Sequence, residues 1–493
     1  MKLFHKLSII FILNFLFPFD GDTHDFFLPN GMKVIFMEKD MKPEVSLGVY
    51  YNVGSKYEEI GQKGLNRILG NVYQNIRKEN YEKTDLKTDY AKAYFLKDIT
   101  GFVNEIDKKR LHSALKIEAD LMQTYVNNIN EDIIDKSKNI IKQKIKDLNS
   151  NPIGRYSFSI LPEDHPYYHS VLGLENQFDT LSIASYQKFY KNYYSPNNAV
   201  LILVGDFDIK DAAKQVFDNF ANINSSKYLQ PELDYTFEIN ADKKFLTKKI
   251  DKYIIPFAPI QFQLTMTSFY LPSTRNKQVS IIKCLKDILN FDIQNEQKYF
   301  KKITNKQKNV IAYFSDYNSR VGYTFYDLLG MNIGNSKSKA KKFKKSVKNT
   351  FQSIAKNGID EDLLLKYKKK ELKKFYIESY KSYNSINWNL AFSELILGDY
   401  KYHNRNYEII RNLTNDDIKN AVTNLIDEEN LFVQNLVVGK SNLFTFVMEN
   451  FIRIFKRLIP VHEFASSEWK INLYIYYYFY VLVLTIYFLK TKY

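Results

Sequence analysis

Cysteine and histidine are scarce in this chain, and the scarcity excludes more chemistry than any motif supplies. The 493 residues include one cysteine, Cys284, and seven histidines. A single thiol rules out an intrachain disulfide and any cysteine-based metal cluster. Cys284 reads as a small buried apolar residue rather than a reactive group. No histidine lies between His24 and His112. His5, His403 and His462 are scattered; His165 and His169 are four apart, but Pro166 between them argues against a shared helical face. Acid is short as well: 55 Asp and Glu against 70 Lys and Arg leave a net charge of +15. Because lysine, asparagine, isoleucine and tyrosine are all abundant together, this excess reads as a coding bias and not as a binding surface. The basic run from Lys337 to Lys348 reads as the solvated face of a helix with Ala340, Phe343 and Val347 inward. It lacks interleaved aromatics to stack bases, so no nucleic-acid partner is expected.

What is present is ample apolar content, 45%, spread over a chain long enough for roughly two to four domains. Two segments address a membrane. Residues 1–20 pair a basic start, Met1 to Lys6, with an apolar run, Leu7 to Phe19, and read as a signal peptide or N-terminal anchor. Residues 471–489 carry no charge and are just long enough to span a hydrocarbon core of about 30 Å. Trp469 and Lys470 precede them and Lys490 and Lys492 follow, as at the two interfaces of a transmembrane helix. Residues 442–460 space Leu443, Phe446, Val447, Phe451, Ile454 and Phe455 as an amphipathic juxtamembrane helix. The body of the chain is therefore expected to be exported and membrane-anchored, on the periplasmic side of the inner membrane if the source is bacterial.

One unit occurs twice. Leu181 to Gly205 reads as an N-capped helix, a turn and a buried strand, and Leu413 to Gly439 repeats that plan. Asn198 and Asn430, which open the two strands, lie at the same distance after Leu181 and Leu413. A duplication of this period points to two homologous domains, 25–240 and 252–440, rather than a solenoid. In the first, alternation predicts strands at Val34–Met37, Ser46–Val53 and a pair within 90–106. Helices are predicted at Leu65–Arg77, Lys109–Val126 and Glu131–Asp147, with a charged loop at 78–89 and a connector at 228–252.

Several of these segments resemble the M16 (insulinase/pitrilysin, mitochondrial-processing-peptidase-like) zinc metallopeptidase family. They are Leu28-Pro-Asn-Gly-Met-Lys-Val-Ile-Phe, Val45-Ser-Leu-Gly-Val-Tyr-Tyr-Asn-Val-Gly-Ser, Ala91-Lys-Ala-Tyr-Phe-Leu-Lys-Asp-Ile-Thr-Gly-Phe, Ile117-Glu-Ala-Asp-Leu-Met, His165-Pro-Tyr and Tyr194-Ser-Pro-Asn-Asn-Ala-Val. Asn357-Gly-Ile-Asp, Leu397-Gly-Asp-Tyr and Leu413-Thr-Asn-Asp-Asp-Ile extend the resemblance to about Lys440. It implies an α+β fold: two homologous M16-type domains, each an antiparallel-rich sheet with helices on one face, enclosing a cavity, with a C-terminal transmembrane helix added.

Active members carry His-x-x-Glu-His after Gly-Leu on one helix. Histidines at i and i+4 share a face, and the Glu takes a proton from zinc-bound water. Here Gly64-Leu-Asn-Arg-Ile-Leu-Gly-Asn-Val places Arg67 and Asn71 at the histidines and Gly70 at the general base. Gln143 falls at the third ligand, a Glu in active relatives. A permanent cation cannot ligate zinc, and amide oxygens are poor ligands for it. No metal, no cofactor and no catalytic residue is expected. The resemblance also implies a peptide-binding edge at Lys92, Ala93, Tyr94, Phe95 and Leu96, with Lys92 in place of the family's Asn and Phe95 in place of its Thr. Thr304 and Tyr313 fall at the second-domain Arg and Tyr that grip substrate in active relatives. The expected role is a pseudopeptidase subunit that binds extended peptides beside an active M16 homologue. The alternatives are a structural core-type subunit of a membrane complex and a metalloendopeptidase with a relocated zinc site.

Overall fold

A computed structural model describes residues 23–450 except 41, 87–90, 126–128, 151–160, 236–244, 251–260, 296–297, 305–309, 320, 323, 427–430, 444 and 448–449. Eleven strands fall among them: β1 (Thr23–Phe27), β2 (Lys33–Glu38), β3 (Glu44–Tyr51), β4 (Lys92–Phe95), β5 (Thr100–Asp107), β6 (Ala199–Gly205), β7 (Phe245–Ile250), β8 (Phe262–Leu271), β9 (Val310–Ser319), β10 (Thr324–Ile333) and β11 (Leu431–Val438). The helices in the first half are α1 (Leu65–Lys83), α2 (Leu111–Thr124), α3 (Glu131–Ser150), α4 (Ile183–Tyr193) and α5 (Ile209–Phe220). The second half contributes α6 (Lys277–Asn295), α7 (Lys298–Thr304), α8 (Lys337–Asn357), α9 (Glu361–Lys381), α10 (Tyr383–Phe392), α11 (Arg405–Asn412) and α12 (Asn415–Leu425).

The strands form two mixed sheets, ordered β1-β2-β6-β3-β5-β4 and β7-β11-β8-β10-β9. In both, the last strand in sequence enters in parallel, β6 beside β2 and β11 beside β7, and every other pairing is antiparallel. The repeated sequence unit supplies these inserted strands. Ser182 and Thr414 accept from the N–H groups of Ser185 and Asp417 to start α4 and α12, which precede β6 and β11. Hydroxyl caps of this kind satisfy donors that the first helical turn leaves without a partner. Asn430 lies outside the described residues.

The period of two sorts the first sheet into two faces. Val34, Phe36, Leu47, Val49, Leu201 and Leu203 join the core under α1 and α2, while Ile35, Met37, Tyr50, Val200, Ile202 and Val204 face the other way. That second face is covered, which corrects the expectation of helices on one face. α10, from the second half of the chain, lies across β3 and β6, with Tyr383, Ile386, Leu390 and Ala391 packed on it. Its polar contacts are specific: Asn387 Nδ2 donates to the Ser46 and Ile202 carbonyls at 3.0 Å each, and Ser46 Oγ donates to Asn384 Oδ1 at 2.7 Å. Gly48 makes room for this, since a Cβ there would come within 2.3 Å of Asn387 Oδ1.

Two boundaries differ from the sequence reading. α1 continues to Lys83 through residues read as a charged loop, because Arg77 and Tyr81 turn inward while the intervening charges stay at the surface. β7 lies inside the stretch read as a connector; Leu246, Thr247, Lys248 and Lys249 are exposed, so this edge strand shows no alternation. On α8, Ala340, Phe343 and Val347 are buried and the lysines lie outside them. Cys284 is buried. Among the described residues no helix is long and apolar enough to cross a membrane. The segments 1–20 and 471–489 lie outside those residues, as does 442–460 beyond residue 450.

Candidate functional site

α1 begins at a buried carboxylate. Gly64 offers no side chain as a cap, and Glu58 takes the role: Oε2 accepts from Gly64 N–H at 2.9 Å and Oε1 from Asn66 N–H at 2.8 Å. Burial pushes the Glu58 carboxyl up from the ordinary 4.5 to about 7, against the two N–H groups and the charges of Lys63 and Lys97, which pull it down. Between those two pH values the unfolded chain releases a proton that the folded chain keeps. The stability contributed by this group is therefore present below pH 4.5 and lost as pH rises through 7. The loss amounts to about 3 kcal/mol. Denaturation midpoints measured from pH 5 to 8 should fall and then level off. The variant Glu58→Gln should be less stable than the parent at low pH and nearly flat over that range.

One turn into α1, the positions matched to the zinc ligands take up other contacts. Phe95, the last residue of β4, lays its ring over Gly70: a Cβ on Gly70 would come within 2.0 Å of Phe95 Cε1. The Arg67 guanidinium carbon lies 4.2 Å from the centroid of the same ring, within cation–π range. Asn71 Nδ2 donates to Ser137 Oγ at 3.1 Å, and that hydroxyl donates to the Ile68 carbonyl at 3.0 Å, tying α1 to α3. Gln143 is exposed and donates to Asp147 Oδ1 at 2.8 Å. Three of the four positions thus meet at the α1–β4–α3 junction, and Gln143 points away from it. These residues do not fit zinc: a cation, an aromatic ring and one engaged amide occupy the place of ligands and base, and the fourth position, Gln143, lies outside it. Among the described residues no group of three or more His, Cys, Asp or Glu is placed to hold a metal ion.

β4 is the outer strand of its sheet, paired with β5 on one side, from Lys92 opposite Val103 to Phe95 opposite Thr100. The strand ends at Phe95, and Leu96 belongs to the turn, its N–H bonded to the Ile99 carbonyl at 2.9 Å. Its side chains alternate: Ala93 and Phe95 face α1, whereas Tyr94 stacks on Trp388 of α10 with centroids 4.1 Å apart.

The same architecture and sequence pattern recur in known proteins. The family description "Peptidase M16 inactive domain" matches residues 180–371. Over those residues the chain is similar to the M16 peptidases. It is 24% identical over 219 residues to the zinc protease PqqE of Helicobacter pylori, covering 41% of this chain and 48% of that protein. It spans about half the length of the curated relatives it matches. The crystal structure of a protease from Helicobacter pylori superimposes with a TM-score of 0.70 at 16% identity, over 85% of this chain and 100% of the other. A chain of complex III2 from Candida albicans does so with a TM-score of 0.67 at 12% identity, over 88% and 99%.

Elsewhere in the chain the histidine pair is engaged in the protein. His165 Nδ1 accepts from Tyr167 N–H at 3.1 Å, and its Nε2 lies 3.4 Å from the Tyr235 carbonyl. Burial holds both His165 and His169 below the usual imidazole range. Tyr167 carries the turn onward, donating to Asp98 Oδ1 at 2.5 Å beside the Lys56–Asp98 pair at 2.9 Å. Thr304 is buried at the end of α7, and Tyr313 stands in β9 opposite Gly330. Sequence reasoning missed the Phe95 ring over Gly70. The available signal was the simultaneous loss of a side chain at 70 and gain of a ring at 95.

Proposed function

We propose that this chain is a noncatalytic M16 subunit that holds extended peptides along β4 by strand addition and works beside an active, zinc-bearing homologue. The observation that carries this reading is the Phe95 ring against Gly70 with the Arg67 guanidinium stacked on the same ring. A water-activating centre needs a general base and three ligands around an open position. Here no atom is available at 70 to serve as base, and the space is taken. Among the described residues no strand pairs with the outer side of β4, which supports a role for its backbone donors and acceptors in holding a peptide.

The reading includes two M16-type units closing on a cavity. They correspond to 25–240 and 252–440, the second taken back to include β7. Residues 1–20 would direct export, and 471–489 would anchor the body to the membrane through the amphipathic segment 442–460. Exposed Leu443, Phe446 and Val447 at the start of that segment are consistent with a surface-seeking face. A second reading, a structural subunit of a membrane assembly, is favoured by the likeness to the complex III2 chain.

The test is affinity purification of the full chain from its own membranes, with zinc content and partners determined together. The expected result is metal-free protein accompanied by an M16 homologue that carries the complete His-x-x-Glu-His motif. Recovery with a multi-subunit membrane complex and no peptidase would favour the second reading. One tightly held zinc per chain, with peptidase activity of its own, would overturn both.

A further inference from the structure

The junction that replaces the zinc site holds two cations and no carboxylate. Among the described residues, Arg67 Nε is sealed from solvent without an acceptor, and neither terminal nitrogen of its guanidinium has a hydrogen-bond partner. Lys144 stands beside it on α3. The placement follows from helix geometry: Ser137, bonded to Asn71, and Ile141, fully buried, define the α3 face turned to α1, and Lys144, itself exposed, comes one turn further along the helix beside that face. On α1, Arg67 lies one turn before Asn71, so the two helices bring Arg67 and Lys144 together. Partial burial and, after it, the Arg67 charge hold the Lys144 ammonium below its ordinary range, while burial alone lowers Arg67. Asp147, the acid on that turn of α3, is occupied by the Gln143 amide at 2.8 Å. Among the described residues neither cation has an ion-pair partner.

A half-buried guanidinium without an acceptor is costly, and a second cation beside it raises the cost. The stack on Phe95 offsets part of it. A carboxylate would offset the remainder, with the planar guanidinium suited to accepting it in a two-point contact. We infer that Arg67 and Lys144 form a carboxylate subsite at the Phe95 end of β4, so that the peptides held there are those presenting an acidic side chain or a free C-terminus beside that strand. The inference rests on the peptide-holding reading and specifies its substrate class.

The test is fluorescence-anisotropy binding of labelled extended peptides to the full-length protein. Three otherwise identical sequences are compared: an internal Glu with an amidated end, an internal Gln with an amidated end, and an internal Gln with a free carboxylate. At least one carboxylate peptide should bind roughly tenfold tighter than the neutral one, and added salt should narrow the gap. A preference for the Glu peptide identifies a side chain as the ligand, and one for the free end identifies the C-terminus. Lys144→Gln, which leaves the Phe95 stack intact, should reduce the preference several-fold, and Arg67→Gln should abolish it. Equal binding of all three peptides would overturn the carboxylate subsite and leave peptide holding intact. No binding of any peptide would overturn both.

Discussion

Replacing Glu118 by alanine is expected to cost about 3 to 5 kcal/mol of folding stability. Glu118 on α2 accepts from Arg77 Nε at 2.5 Å and from Tyr81 OH at 2.6 Å on the same oxygen, and the Arg77 and Glu118 side chains are fully shielded from solvent. Arg77 also lies 4.7 Å from the Tyr81 ring centroid. Truncating Glu118 strands a guanidinium that has no route to water, and among the described residues Arg77 Nη1 already lacks a partner. Most of the cost belongs to that stranded charge and not to the pair itself. The double variant Arg77→Met with Glu118→Leu should therefore recover most of the loss, because apolar side chains of similar volume need no partner. Chemical denaturation of the two variants decides the matter. If the double variant is as unstable as Glu118→Ala, the pair itself contributes the stability.

Writing the family's ligands back into the site is expected to fail, and to fail for a reason outside the motif. The variant carrying Arg67→His, Gly70→Glu, Asn71→His and Gln143→Glu should bind no zinc and lose about 1 to 3 kcal/mol through overpacking, since any side chain at 70 meets the Phe95 ring. Adding Phe95→Thr removes that ring, and this five-site variant should retain one zinc per chain after dialysis once the side chain at 143 turns from its exposed position beside Asp147 toward α1. Gly70→Ala by itself tests the same contact without metal. In an exposed helix interior it would stabilise by about 0.5 to 1 kcal/mol, whereas here it should destabilise, and Phe95→Ala should restore the ordinary sign. Zinc bound tightly by the four-site variant with Phe95 retained would show that the ring yields, and the plug would then not be what keeps the site closed.

The repeated unit shows how much of the fold was legible in the residues. A hydroxyl before an amphipathic run, a turn and a continuous apolar stretch are local signals, and both copies became a helix followed by a strand inserted in parallel. The end of α1 was not legible. Arg77 and Tyr81 sit in a run of lysines, glutamates and asparagines whose composition suits a loop as well as the outer face of a helix. What settles them is Glu118, 41 residues away. β7 was missed for the opposite reason: as an exposed edge strand it has no buried face to impose alternation.

By itself the sequence determined that the inverted zinc motif is missing, since no histidine lies where it would have to stand, and no arrangement of the backbone can supply one. It also determined which residues of each β2, β3 and β6 neighbour pair go to opposite faces, because a period of two is a property of consecutive residues. The tertiary structure alone decided what fills the emptied place. Phe95 and Gly70 are 25 positions apart, and only the pairing of β4 onto β5 lays the ring across α1. It alone decided that α10 crosses to the first sheet, where Asn387 reaches the carbonyls of Ser46 and Ile202. These contacts depend on how distant segments are brought together, and a linear pattern carries the preference of each segment but not the identity of its partner.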